Sequence, residues 1–300
     1  MSHPLKKVIF YCIYKNGDIH SNKSIVAHFM EQLIDHGIEV AYFTNTQKHH
    51  SVNLDCPKGF VSESYPFLLN NPGTTLIEDT LFINTWVGHL GVSHTGLNHN
   101  ISQQLPGWHD LAKLIHNITN GEIEIVLHND NIMYAPEIMY NLLGPLPSSL
   151  PDNKKVLICN NIAESGQSDN KDLADAINRL CEKHKEVIFY YTNPIPINHH
   201  NLICTDDIFD RNINGSNLPE IGWLSEHCDI IVSNVSGPGA YAMTRKNFLD
   251  PHKIIITFLT SEEQAYYYGL DGVKCKTIYS NQCGDESVFN ILDSVLSGTY

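Results

Sequence analysis

The sequence predicts an α/β protein built from two Rossmann-like, doubly wound parallel-sheet domains facing a central cleft. Three observations point there. Short β-branched and aromatic runs alternate with amphipathic stretches at helical spacing, both halves of the chain open with strand, polar loop, helix and strand, and a Pro/Gly-rich stretch falls near the middle. At 300 residues the chain has room for two ordinary domains, expected at 1–146 and 147–300.

The elements follow in order. "KKVIFYCIY" (6–14) reads as a buried strand bounded by Asn16-Gly17, and "SIVAHFMEQLIDHG" (24–37) as a helix carrying Ile25, Phe29 and Leu33 on one face and ending at Gly37. "IEVAYFTN" (38–45) restarts as a strand and closes a right-handed βαβ unit. Further strands are expected at "TLFINTW" (80–86) and "EIEIVLHN" (122–129), with a helix across "WHDLAKLIHNITN" (108–120). "LLGPLPSSLPDNKK" (142–155) reads as an interdomain linker. The pattern then begins again: strand 155–161, helix 170–184, strand 186–193, helix 218–228, strand 229–234, a small-residue loop, and strand 253–259.

Composition bounds the function. With 19 Lys+Arg against 33 Asp+Glu the formal charge is −14, which argues against broad contact with nucleic-acid phosphates or anionic membranes. Eight cysteines stand singly, with no CxxC pair, and read as reduced, buried thiols. No segment has signal-peptide form or membrane-spanning length, so a soluble cytoplasmic protein is expected.

In doubly wound sheets ligands bind beyond the carboxyl ends of the strands, and the candidate residues fall in those loops. "DIIVSNVSGPGAYAM" (229–243) ends a buried strand in Ser233-Asn234 and enters a helix through Ser236-Gly237-Pro238-Gly239, either an anion-binding turn or a tight turn that simply needs glycine. The loop "NNIAESGQSDN" (160–170) adds Asn161, Glu164, Ser165 and Gly166 on the same side; two polar loops over one sheet edge suit a nucleotide. In the first half, residues 84–108 carry Asn84, Trp86, His89, His94 and His99, a polar, aromatic loop suited to a hydroxyl-rich acceptor. The histidine spacing does not make a metal site, and none is expected. Asp18 follows the first strand, where it would serve as a base toward a hydroxyl; the other reading is a cap for the next helix, a task open also to Ser21 or Asn22.

The run from "NGDIHSNK" to "AYFTN", together with "VLICNNIAESG", "DLADAINRLCEKHKEVIFYYTN" and "SNLPEIGWLSEHCDIIVSNVSGPGAYAM", resembles the heptosyltransferase-type glycosyltransferases, in element order over nearly the whole chain and in residues over those pieces. The resemblance implies the GT-B fold, a nucleotide-sugar donor, a glycan or glycoconjugate acceptor, and inverting transfer without a metal or other cofactor. It places Asp18 at the catalytic base, Asn161–Gly166 and Ser236–Gly239 at the donor diphosphate, and Glu220 near the nucleoside. Two positions depart from the family pattern: Asn234 stands where an acid is usual, and no basic residue lies between Asn160 and Asp169. Those departures keep two alternatives in play, an inactive ligand- or partner-binding protein of the same fold and a sugar-nucleotide epimerase.

Overall fold

The computed structural model describes residues 5–45, 54–70, 73–86, 101–140, 143–161, 173–209, 217–234 and 236–300. The chain divides into two compact units, Met1–Pro136 with Gly269–Gly272, and Glu137–Tyr268 with Val273–Tyr300.

In the first unit β1 (Lys7–Cys12) leads into α1 (Asn16–Asp35) and β2 (Glu39–Thr44), followed by β3 (Lys58–Phe60), α2 (Val61–Ser64), α3 (Phe67–Asn70), β4 (Thr75–Ile77), β5 (Thr80–Asn84) and α4 (Ile101–Ile118). The sheet order is β3-β2-β1-β5-β4; β1 pairs in parallel with β2 and β5, and only the edge strand β4 runs antiparallel. Every residue from Val8 to Cys12 is fully buried, as a central parallel strand covered on both faces requires. One face packs Ile9, Tyr11 and Phe82 against Val61 and Leu68. Elsewhere in the core the α1 ring of Phe29 meets Trp108 of α4 at 5.0 Å.

Helix α1 starts at Asn16, eight residues before the expected "SIVAHF" run. Ile19 extends the apolar stripe, but His20, Ser21, Asn22 and Lys23 are buried too, so their polarity hides the helical period from the sequence. Its end is as expected: Gly37 adopts φ +76 while its N–H bonds Ile34 O and the Ile38 N–H bonds Leu33 O, a left-handed stop that favours glycine.

The strand expected at 122–129 does not form. Ile123 and Ile125 are buried and Val126 exposed, so the alternation is real, but its partner is a helix side chain. The Gln32 amide donates to Val126 O at 3.1 Å and accepts from Val126 N at 2.8 Å, imitating one rung of a ladder.

The second unit runs β6 (Lys155–Ile158), α5 (Ala174–Lys183), β7 (Ile188–Tyr191), β8 (Leu202–Cys204), α6 (Thr205–Ile208), α7 (Leu218–Glu226), β9 (Ile230–Ser233), α8 (Gly237–Ala242), α9 (Arg245–Leu249), β10 (Ile254–Phe258), β11 (Lys276–Ser280) and α10 (Asp285–Leu296). Its sheet is parallel throughout in the order β8-β7-β6-β9-β10-β11. Numbered within the unit this is 3-2-1-4-5-6, the strand order of dinucleotide-binding Rossmann sheets. Val156, Ile158 and Phe189 form one core with Ile177 and Leu180 of α5 and Val288 and Leu292 of α10. Around that core Arg179 pairs with Glu286 at 2.6 Å and His184 with Asp293 at 2.8 Å.

The Pro/Gly-rich stretch expected as a linker falls inside the second unit. The units divide at Pro136/Glu137, ten residues before the expected 146/147 boundary, and the segment that follows is fastened to the second unit. Glu137 pairs with Arg245, Tyr140 donates to Glu226, and Gly144 N–H donates to Glu220 at 2.8 Å. Ile138 lies against Gly222, where a side chain would collide with it.

Candidate functional site

The strand order of the second sheet reverses between β6 and β9, and Asn161 and Asn234 follow those two strands. Asn234, after β9, donates from Nδ2 to Asn161 O, after β6, at 3.0 Å. Asn160 braces the neighbouring strand: its Oδ1 accepts from Thr192 N at 3.0 Å and Asn193 N at 2.8 Å, and its Nδ2 donates to Asn193 O at 2.9 Å. Thr192 also donates to Asn161 Oδ1. Asn160 and Thr192 were missed by the sequence reading, although "ICNN", "YYTN" and "IVSN" show each of three adjacent strands ending in Asn.

Asn234 is 9 % exposed, and its Oδ1 is buried without a partner among the described residues. Beside it, Ser236 Oγ caps α8 by accepting from Gly239 N at 3.3 Å. Gly239 is obligatory, since a Cβ there would lie well inside contact distance of Asn234 O and Ser233 Oγ; at Gly237 it would meet only Leu218 Cδ2 at 3.5 Å. Pro238 has no N–H and Gly239 spends its own on the cap, which leaves Gly237 as the first-turn donor for an anion.

Glu220 sits in the first turn of α7, 3 % exposed, with Oε1 accepting from Gly144 N and Oε2 buried without a partner among the described residues. Three cations of this unit are committed to other partners. Lys253 donates to the carbonyls of Ser225 and Glu226, which end α7, and of Cys228 just after it, with burial holding its pKa below the usual lysine range. Lys246 pairs with Glu226 at 3.1 Å and Arg245 with Glu137.

In the first unit the corresponding place lies between β1 and β5. Asp18 is in the first turn of α1, where its Oδ2 accepts from Lys15 N at 2.8 Å. Asp18 is thus not the N-cap, which is Lys15, but the third residue of the helix, whose carboxylate accepts the N-cap N–H as one half of a capping box. Ser21 and Asn22 do not cap; they lie inside the helix and donate to Asp18 O at 3.2 and 2.9 Å. Asn84 is fully buried, its Oδ1 accepting from Trp86 N at 3.0 Å and its side chain hydrogen-bonded to the Tyr14 phenol. Trp86 is only 8 % exposed, so it backs the site rather than presenting its ring to solvent. His89, His94, His99, Glu164, Ser165 and Gly166 lie outside the described residues.

Among the described residues no three His, Cys, Asp or Glu are placed to hold a metal ion, and no helix is long and apolar enough to cross a membrane. Six of the eight cysteines are buried, and burial pushes the Cys228 thiol up to about 12, far from nucleophilic character.

No protein-family model matches the chain, and no curated protein sequence matches it either. Solved structures are similar over nearly its full length. ADP-heptose lipopolysaccharide heptosyltransferase II of E. coli is 11 % identical over 97 % of this chain and 99 % of its own, with TM-score 0.49. A glycosyl transferase of family 9 from Veillonella parvula is 10 % identical over 99 % and 90 %, with TM-score 0.47. A candidate UDP-N-acetylglucosamine 2-epimerase from Listeria monocytogenes is 8 % identical over 98 % and 88 %, with TM-score 0.50. The fold is the one expected, two Rossmann-like α/β units of the GT-B type in one chain.

Proposed function

We propose that the protein is a nucleotide-sugar-dependent glycosyltransferase, its second unit taking the donor and its first the hydroxyl acceptor. The observation that carries this reading is the 3-2-1-4-5-6 sheet with side-chain amides gathered at its switch point. Asn234, Asn161 and Asn160 supply uncharged hydrogen-bonding side chains at that place, which suits a hydroxyl-rich nucleotide sugar better than a bare anion. In the proposed reaction Asp18 takes the acceptor proton, the acceptor oxygen bonds the anomeric carbon, and the C–O bond to the diphosphate breaks with its electron pair leaving on the diphosphate. No metal is assigned a role in this inverting transfer, and a glycan or glycoconjugate acceptor in the cytoplasm belongs to the same proposal.

The test is thermal unfolding of the full chain against a panel of nucleoside diphosphates and nucleotide sugars. A ligand at one hundred times its Kd stabilises the folded state by about 2.7 kcal/mol, enough to raise Tm by several degrees. Flat melting curves across the panel at millimolar ligand would sink the proposal.

The likeness to the candidate epimerase favours a second reading, interconversion of the sugar nucleotide itself. Proton NMR of a bound nucleotide sugar separates the two: an epimer formed without acceptor supports the second, and a donor unchanged until acceptor is added supports the first.

A further inference from the structure

The loop between β1 and α1 is held at three successive residues by three different elements. Asn45, after β2, donates to Ile13 O at 3.0 Å. Asn84, ending β5, is hydrogen-bonded to the Tyr14 phenol, and Asp18 of α1 accepts from Lys15 N. Asn84 Oδ1 also takes the Trp86 N–H at 3.0 Å, which ties the same side chain to the residue behind the loop. The Tyr14 ring lies against Trp86 with centroids 6.0 Å apart and planes at 52°. Trp86 and Asn84 are buried while Tyr14 remains partly exposed, so of the three it is Tyr14 that faces outward. Burial, then Cys12 and the Asp18 charge, keep the phenol above its ordinary range and hence neutral, with the Asn84 bond opposing them.

We propose that Tyr14 is the seat of the acceptor sugar: its ring packs against the C–H face of a pyranose while its hydroxyl bonds a ring substituent, beside Asp18. This rests on the transferase reading of the first unit. Three features favour such a seat. Aromatic rings supply large contact area with few rotatable bonds. A ring locked by a neighbouring indole and a buried amide loses little further entropy when a ligand arrives. A neutral phenol suits an uncharged, hydroxyl-rich ligand. Tyr14 belongs to no site assigned from the sequence; the aromatic there was expected to be Trp86.

The experiment is saturation-transfer NMR on the full chain with a panel of methyl glycosides. Wild-type protein is expected to saturate the ring C–H protons of at least one glycoside. Tyr14→Ala should weaken that binding about tenfold or more, as truncating an aromatic anchor does, and Tyr14→Phe should keep the C–H contact. The nucleoside diphosphate melting shift should be the same in all three proteins, which verifies the fold of the variants. Equal glycoside binding by Tyr14→Ala, or no saturation of any glycoside by wild type, overturns the inference. A diphosphate shift that persists without glycoside binding ends the Tyr14 seat and leaves the transferase reading standing. Loss of the shift in wild type ends that reading instead.

Discussion

Asn234 Nδ2 donates to the main-chain carbonyl of Asn161 at 3.0 Å, joining the ends of β9 and β6 where the strand order of the second sheet reverses. An aspartate, the residue usual at this position in the family the sequence resembles, cannot make that bond when ionised. Asn234→Asp would set a carboxylate against a carbonyl in a buried place. The variant is expected to lose about 1–3 kcal/mol of stability, read from urea denaturation at neutral pH. Stability equal to wild type would mean the brace contributes nothing.

Two glycines of α8 should respond oppositely to the same change. At Gly239→Ala the new methyl collides with Asn234 O and Ser233 Oγ, and a loss of about 1–3 kcal/mol is expected, as for other overpacked sites. At Gly237→Ala the nearest atom is Leu218 Cδ2 at 3.5 Å, so stability should stay within about 0.5 kcal/mol of wild type or rise slightly. Paired melting curves decide it, and similar losses at both positions would refute the geometric argument.

Asp18 combines a structural duty with the proposed chemical one, and Asp18→Asn separates them. Asparagine still accepts from Lys15 N, so stability should change by less than about 1 kcal/mol. A base lost from the reaction should lower turnover about 10²–10⁴-fold while nucleotide binding persists. Transfer at the wild-type rate would remove Asp18 from the mechanism.

Stability should fall on mild acidification, and His20 should account for part of the fall. It is fully buried in α1, and burial, followed by the charge of Lys23, holds its pKa well below the ordinary 6.5. The unfolded chain therefore takes up a proton that the folded protein refuses. The stabilisation from neutral His20 is complete above 6.5 and is lost as pH drops toward the depressed folded value, with a slope approaching about 1.4 kcal/mol per pH unit for one group. Urea denaturation at pH 7 and pH 5 should show this slope in wild type and a shallower one in His20→Gln. Identical slopes would assign the acid sensitivity to other groups.

The central strands were legible because their burial is two-sided: "VIFYC", "VLI" and "IIV" are unbroken apolar runs, and each occupies the interior of a sheet. Lys58–Phe60, Thr75–Ile77 and Leu202–Cys204 were not, since three-residue strands at or near an edge have too little pattern to read. Helix α1 was legible only from Ser24 onward, because its first turns bury polar groups.

By itself the sequence determined the class of fold, the repetition of a strand-loop-helix opening in both halves, and the terminator at Gly37, all of which depend on local pattern and backbone preference. It also brought Asp18, Asn84, Asn161 and Asn234 to the ends of strands. Only the tertiary structure decided which of these residues meet, since strand order is set by pairing between segments far apart in the chain. It joined Asn234 to Asn161, set Trp86 behind Tyr14, fastened Glu137–Gly144 to the second unit, and turned Lys253 to the end of a helix. Hydrogen bonds and packing across such distances leave no periodic trace in sequence.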